Sequence, residues 1–469
     1  MSTLTRPNIL WICTDQQRYD TIRALNNPHI NTPNIDRLVA EGVAFTHAFC
    51  QSPICTPSRA SFLTGMYPSS VHGCMNGNDR WAEAAPLVTA LLADAGYTCG
   101  LAGKLHLAGA QGRLEPRPEH DGYTVFHWSH GVHDAWESGH AYANWLREQG
   151  HDLGEMLKQP EQIPPHLHQT TWCTDRAIAF MQSQSGDQPW LMSVNMFDPH
   201  APFDPPQLYL DRYDANAMPD PLFRESDVAT QAKLRDIDFQ TLCRHPDEFN
   251  AKQVRAAYYA MIELIDDNVG RMLDALEQTG QREKTVVIFM SDHGETLGDH
   301  GLLLKGCRFY EGLVRVPLIL SWPEHFRAGQ VRTALVELTD IAPTLLNLAN
   351  QPLLDRMQGR SLLPLLTDDA HLDHHRDFVR CEYYQALNPI ANERFNGTYG
   401  TMIRDEQYKL VVYHGHEVGE LYDLVADPDE FKNRWDDPDY VDVKLRLMKQ
   451  SFDALALATD VGPRQVTRF

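Results

Sequence analysis

The stretch NILWICT, Asn8 to Thr14, is almost wholly apolar and meets an acid, Asp15, as soon as it ends. A short apolar run bounded by polar residues reads as a strand buried on both faces, and such strands belong to parallel sheets covered by helices. The pattern recurs. PWLMSVNMFDPH, KTVVIFMSDHGE and VPLILSWP read as further buried strands. Between them lie helical segments. TPNIDRLVAEGVAF puts Ile35, Leu38 and Val39 at helical spacing before Gly42. PLVTALLADAGYTCGLAGK gives a helix from about Leu87, closed by Gly96, and then a strand toward Lys104. AAYYAMIELIDDNVGRMLDALEQTG is a long amphipathic helix closed by Gly280. Strands that alternate with helices predict an α/β fold, a mostly parallel sheet flanked by helices. In such sheets ligands bind beyond the carboxyl ends of the strands. TDQQ, GKLH, DPHAPF and SDHGE all follow strands, so clusters far apart in sequence are expected on one edge.

The texture changes near Asp377. DFVRCEYY, GTMIRDEQYKLVVYHG and GELYDL are strand-like with turn residues between them, and YVDVKLRLMKQSFDALALA is helical. The expected organisation is a catalytic domain over residues 1–370 and a smaller C-terminal antiparallel sheet with a helix over 371–469. His106 to His168 is rich in Gly, His and Pro and reads as a long active-site excursion. Its Trp128, Trp136 and Trp145 have two readings, stacking on a sugar or aryl ring and core packing.

Charge narrows the partners. Lys and Arg total 41 and Asp and Glu total 63, a net charge of −22. That argues against a nucleic acid or an anionic membrane surface, whereas an anionic small molecule needs only a local cluster of cations. The apolar run Ile9–Cys13 is too short for a signal peptide and no stretch approaches a membrane span, so a cytoplasmic location is expected. Nine cysteines at irregular spacing read as free thiols rather than a disulfide framework.

Two residue pairs, Asp15-Gln16 and Asp292-His293, end predicted strands. Three oxygen donors and one imidazole can converge on a divalent cation; the blander reading is helix caps or solvated loops. In SPICTPSRASFLTG, Cys55 and Arg59 share a face if a helix begins at the cysteine, and the helix N-terminus favours negative charge there. Cys55 is then a buried structural cysteine, a thiolate nucleophile, or the site of something oxygenic that suits a hard cation better than sulfur does.

PICTPSRASFLTG resembles the first signature of the formylglycine-dependent sulfatases, through Cys55, Pro57, Ser58, Arg59, Phe62, Leu63, Thr64 and Gly65. In that family the cysteine is oxidised to formylglycine, whose hydrate, a gem-diol, is the nucleophile. GYTCGLAGKLHL is similar to the second signature and keeps Lys104 and His106, departing at Cys99 and Leu105. FDPHAPFDPP is similar to the segment that offers His200, and SDHGETLGDHGLLLKG to the second metal segment with its lysine, Lys305. LTDIAPTLLNLA and ELYDLVADPDEFKN resemble the family's C-terminal landmarks. The resemblance spans nearly the whole chain and implies the alkaline phosphatase fold.

It also implies roles. Asp15, Gln16, Asp292, His293 and the residue-55 oxygen would hold one divalent cation, Ca²⁺ first and Mn²⁺ as the alternative. Arg59, Lys104 and Lys305 would stabilise charge, His200 would protonate the leaving group, and His106 would take the proton of the second hydroxyl. Asn76, ahead of Asn78, is the candidate substrate contact. His72 is read as structural, and His300 as a supporting or loop residue.

The activity implied is hydrolysis of a sugar, alkyl or aryl sulfate monoester. A formylglycine-generating or anaerobic sulfatase-maturing enzyme would be its partner, and a homo-oligomer is allowed. The alternative on the same fold is a phosphonate monoester or phosphodiester hydrolase. Lys104 and His106 favour sulfate, since that branch carries neutral hydroxyl residues there. A non-catalytic metal-binding homologue and a thiolate hydrolase are the remaining readings.

Overall fold

The computed structural model describes residues 6–110, 114–131, 139–184, 186, 188–368, 373–387, 397–459, 461–462 and 466–467. The expected boundary at 370–371 and Trp136 lie outside them.

The five expected strands join three that were not expected in an eight-stranded sheet, in the order Gln330–Arg332, Val43–Phe45, Leu318–Ser321, Thr285–Ser291, Asn8–Thr14, Trp190–Asn195, Thr98–Gly103 and Tyr123–Trp128. Asn8–Thr14 lies near the middle, parallel to both neighbours, with Ile12 opposite Val194 on one side and Phe289 on the other. VPLILSWP supplies Leu318–Ser321 as expected, but that strand runs antiparallel to both of its neighbours. The Gly-, His- and Pro-rich excursion is more ordered than its composition suggests. It contains the edge strand Tyr123–Trp128 and the helix Ala141–Glu148.

Alternation along the central strand explains why both faces need cover. Leu10 and Ile12 pack under the helices Pro33–Glu41, Gln169–Ser183 and Ala251–Gln278 with Val194, Ile265, Val269 and Phe289. Ile9, Trp11 and Cys13 face the other way, into a core with Phe62 and Leu63 of the helix Cys55–Thr64, Leu101, Ile288 and Ile341. With two apolar faces and helices on each, the sheet's exposed chemistry is confined to its ends.

A second sheet, wholly antiparallel, runs Val379–Tyr384, Tyr399–Arg404, Tyr408–Tyr413, Gly419–Asp423. Cys381, Tyr383, Met402 and Val411 join the main core, while Ile403, Leu410 and Leu421 pack on Leu447 of the helix Val441–Leu457. Among the described residues no helix is long and apolar enough to cross a membrane, and all nine cysteines are free.

Candidate active site

Each signature residue has a visible local task. Cys55 opens the helix Cys55–Thr64, and the amide of Thr56 donates to Asn76 Oδ1 at 2.9 Å, so Asn76 caps this helix from outside. Pro57 sits in the first turn, where its missing N–H costs nothing. The Ser58 hydroxyl donates to the carbonyl of Asp292, and Arg59 Nε donates to Asp292 Oδ2 at 2.9 Å. These two bonds tie the helix to the end of Thr285–Ser291. Gly65 closes the helix with φ 71°, a left-handed position that favours glycine.

Five segments meet at the C-terminal edge of the sheet. Asp15 follows Asn8–Thr14, Lys104 and His106 follow Thr98–Gly103, His200 lies beyond Trp190–Asn195, and Asp292 and His293 follow Thr285–Ser291. The fifth is the signature helix. Gly103 is needed where two of them touch, because a Cβ there would stand 1.9 Å from the Asn195 carbonyl oxygen.

The distances define one buried cluster. Single ligand atoms of Asp15, Cys55, Asp292 and His293 all lie within 4.8 Å of one another. Cys55 Sγ is 3.5 Å from Asp15 Oδ1 and 3.2 Å from His293 Nε2. Lys305 Nζ is 2.9 Å from Cys55 Sγ, 2.9 Å from His200 Nε2 and 3.2 Å from His293 Nε2. Lys104 Nζ donates to Asp15 Oδ2 at 2.6 Å, and Arg59 Nη1 donates to the Lys104 carbonyl at 2.9 Å. His106 lies beside Cys55 and interacts with it electrostatically, its Nδ1 buried without a hydrogen-bond partner.

Burial alone would raise the Cys55 thiol, but Lys104, Lys305 and His293 outweigh it and hold it well below the usual thiol range. Burial likewise opposes ionisation of Asp15, as does Cys55, yet Lys104, His200 and Lys305 keep its carboxyl below the ordinary range. Burial and the neighbouring Lys104 push the His106 imidazole well down, and burial and Lys305 lower that of His200. The site therefore stabilises negative charge at position 55 and at any anion beside it.

The donors fit a divalent cation. The His293 Nδ1–H donates to the Gly294 carbonyl at 2.8 Å, which leaves Nε2 as the ring atom directed at the cluster. Gln16 Oε1 is buried without a hydrogen-bond partner, an arrangement that costs free energy unless something electropositive meets it. Two carboxylates, an amide oxygen and an imidazole make an oxygen-rich set.

Residues that left no readable pattern also serve here. Glu115 accepts the amides of His106 at 2.8 Å and Ala108 at 3.0 Å, that of Leu107, and the Trp128 indole N–H at 3.0 Å. It holds His106 in a left-handed conformation, φ 58°. Trp128 is thus core and tied to Glu115, while Trp145 stacks on Tyr142. Glu295, in the SDHGE segment whose strand-end position was its only signal, accepts from the Gln16 side-chain amide. His72 is the exposed left-handed cap of a short helical turn. His300 stacks on Tyr310 at 3.9 Å in a loop, apart from the cluster around Cys55.

The family model described as Sulfatase matches residues 7–351, and that described as N-sulphoglucosamine sulphohydrolase, C-terminal, matches residues 298–456. An arylsulfatase of Clostridium perfringens is 30% identical over 458 residues, covering 93% of this chain and 91% of its own. The multifunctional alkaline phosphatase superfamily protein PehA of Trinickia caryophylli is 31% identical over 492 residues, 93% of each chain. The crystal structure of the phosphonate monoester hydrolase of Agrobacterium radiobacter superposes with a TM-score of 0.82 at 27% identity, covering 99% of this chain and 98% of that one. A family match over most of the sequence and a relative of this identity over nearly all of it agree with the buried cluster at the sheet edge, and the chain belongs to the sulfatase family, a sulfuric ester hydrolase on the alkaline-phosphatase-like fold.

Proposed function

We propose that the protein hydrolyses a sulfate monoester of a sugar, alkyl or aryl alcohol, using formylglycine made from Cys55 by a maturation enzyme and one divalent cation, Ca²⁺ in the first instance. The observation that carries this reading is the seat of Cys55 Sγ, 2.9 Å from the Lys305 ammonium and within one buried cluster with Asp15, Asp292 and His293. A thiol poorly suits a hard, oxygen-seeking cation, whereas the oxygens of a hydrated aldehyde at that place suit it well. The cation, held by Asp15, Gln16, Asp292, His293 and residue 55, would supply Lewis-acid stabilisation of charge on the reacting oxygens. The oxidised residue would supply one hydroxyl that attacks sulfur and a second whose deprotonation restores the aldehyde and frees sulfate.

The remaining work falls to side chains. Arg59, Lys104 and Lys305 are buried cations that face two buried carboxylates, Asp15 and Asp292. That excess of positive charge, set against a net charge of −22 for the whole chain, selects an anion at this spot. The His200 Nδ1–H donates to the Ala201 carbonyl at 2.6 Å, so Nε2 faces the cluster and is the atom that would carry a proton to the leaving alkoxide. His106, which interacts electrostatically with Cys55, would accept the proton of the second hydroxyl.

A second reading is favoured by the close superposition on a phosphonate monoester hydrolase. Lys104, paired with Asp15 at 2.6 Å, supports sulfate over that alternative, because it adds a second ammonium beside the reacting group. The experiment is a panel of sulfated sugars, aryl sulfates, alkyl sulfates and a phosphonate monoester, assayed for product release. Turnover of a sulfate ester well above the phosphonate supports the proposal; the reverse order replaces it.

A further inference from the structure

Every polar atom of Gln16 except one is already engaged. Its amide N donates to Asp292 Oδ1 at 3.0 Å, its carbonyl accepts the Tyr258 hydroxyl, and its side-chain Nε2 donates to Glu295 Oε2. Tyr258 is held in turn by the Arg18 amide, which donates to its oxygen at 2.9 Å. The backbone at Gln16 is left-handed, φ 71°. Only Oε1 is left, buried and without a partner.

An amide side chain has two faces of nearly equal shape and opposite hydrogen-bonding character. Something must decide which of them Gln16 turns to the cluster. Glu295 is fully buried and accepts on both oxygens. Oε1 receives Leu297 N at 3.1 Å, Thr296 Oγ1 at 3.3 Å, and the amide of Leu304, the residue before Lys305. Oε2 receives Gln16 Nε2.

We propose that Glu295 is a positioning residue that locks the Gln16 amide with its oxygen toward the cation site. The proposal rests on the reading of Asp15, Gln16, Asp292, His293 and residue 55 as the cation's ligands. An acceptor-only group at 295 can pair only with the NH₂ of Gln16, so the oxygen is forced the other way. The same carboxylate anchors the segment that carries Lys305, and so sets a cation ligand and a cationic side chain against one support.

The chemistry of a single substitution makes this testable. In Glu295→Gln, three donors still converge on the Oε1 position and claim the new amide oxygen. Its NH₂ then faces Gln16, whose amide turns over to accept from it. A nitrogen without a free lone pair replaces oxygen at the cation site. Adding Gln16→Glu to that variant would undo the change, because a carboxylate at position 16 accepts from the new amide at position 295 and still offers an oxygen to the cation.

The measurement is Ca²⁺ affinity, by competition with a chromophoric chelator, on purified full-length protein of matched formylglycine content. Glu295→Gln is expected to bind Ca²⁺ about 10–100-fold more weakly, the range for removal of a group that orients a metal ligand. Glu295→Asp keeps the charge but loses the reach, and is expected to weaken binding at least ~10-fold on the same ground. The double variant Gln16→Glu/Glu295→Gln is expected to return to within about threefold of wild type, since the oxygen donor is restored. Wild-type affinity in Glu295→Gln overturns the proposal, and wild-type affinity in Glu295→Asp reduces Glu295 to a bare charge and overturns it too. If Glu295→Gln fails to fold, the folded double variant decides: weak Ca²⁺ binding there overturns it. A wild-type protein that binds neither Ca²⁺ nor Mn²⁺ removes the cation reading itself, an outcome separate from any failure of the variants.

Discussion

Lys305 Nζ stands 2.9 Å from Cys55 Sγ, although 250 positions separate the two residues in the chain. The contact joins the first residue of the signature helix to a loop beyond the strand Thr285–Ser291. Both are buried, so the ammonium is a poorly screened positive charge at the nucleophile's position. Lys305→Met should leave the fold intact and lower kcat/KM for a sulfate ester by about 10²-fold, the usual loss on removal of one charge-stabilising donor. A rate within threefold of wild type would contradict that role.

Cys55 should be converted to formylglycine in active protein. The tryptic peptide should lose the sulfur and gain a carbonyl oxygen, which mass spectrometry resolves. Activity should scale with the converted fraction across hosts of different maturation capacity. Cys55→Ala should fold and be inactive. Full activity in protein that carries only the thiol would defeat the mechanism.

Asp292 takes part in several contacts at once. It accepts from Arg59 Nε at 2.9 Å and from the Gln16 backbone amide at 3.0 Å, and it contributes to the acid–imidazole cluster. Asp292→Asn keeps the shape but removes the charge, so bound divalent cation and turnover should fall together when metal content is measured in parallel with rate. Full metal content with lost turnover would assign Asp292 to catalysis alone.

Much of this site was legible because strand ends are loud in the sequence. NILWICT followed by Asp15, and VVIFMS followed by Asp292, declare both the strand and the edge on which its polar residues fall. The direction of Leu318–Ser321 was not legible, because an apolar run carries no arrow and only tertiary pairing supplies one. The edge strand Tyr123–Trp128 was hidden by its mixed burial and by the glycines, histidines and prolines around it. Glu115, and the role of Glu295 beyond its strand-end position, were silent for another reason. They act by accepting backbone amides and a neighbouring side-chain amide, and such bonds impose no spacing on the sequence.

Stability offers a test apart from catalysis. Arg376 pairs with both Glu337 and Asp340, and all three are buried. Glu337 also accepts from the Tyr67 hydroxyl at 3.1 Å, just beyond the signature helix. Arg376→Met would strand two carboxylates away from water, at a cost of about 3–5 kcal/mol. Urea unfolding should show a lower midpoint with an unchanged slope. Loss below ~1 kcal/mol would mean that water reaches the pair.

Lys104 and His200 divide the sulfatase reading from the phosphonate one. Lys104 is held by Asp15 at 2.6 Å and lies 5.4 Å from the centre of the Phe197 ring, which faces His200 in turn at 4.6 Å. A sulfate monoester carries one negative charge, and its transition state builds more on the leaving oxygen, so an added ammonium and a proton donor both act where charge grows. Lys104→Ala should lower kcat/KM for a sulfate ester by at least ~10²-fold. His200→Ala should slow alkyl or sugar sulfates far more than activated aryl sulfates, because only a poor leaving group needs a strong acid. One panel reads both effects: an aryl sulfate, an alkyl or sugar sulfate, and a phosphonate monoester with the aryl leaving group. If wild-type protein turns over the phosphonate much faster than any sulfate, and Lys104→Ala leaves that rate intact, the Lys104 ammonium does not serve a sulfuryl group and the phosphonate reading takes its place.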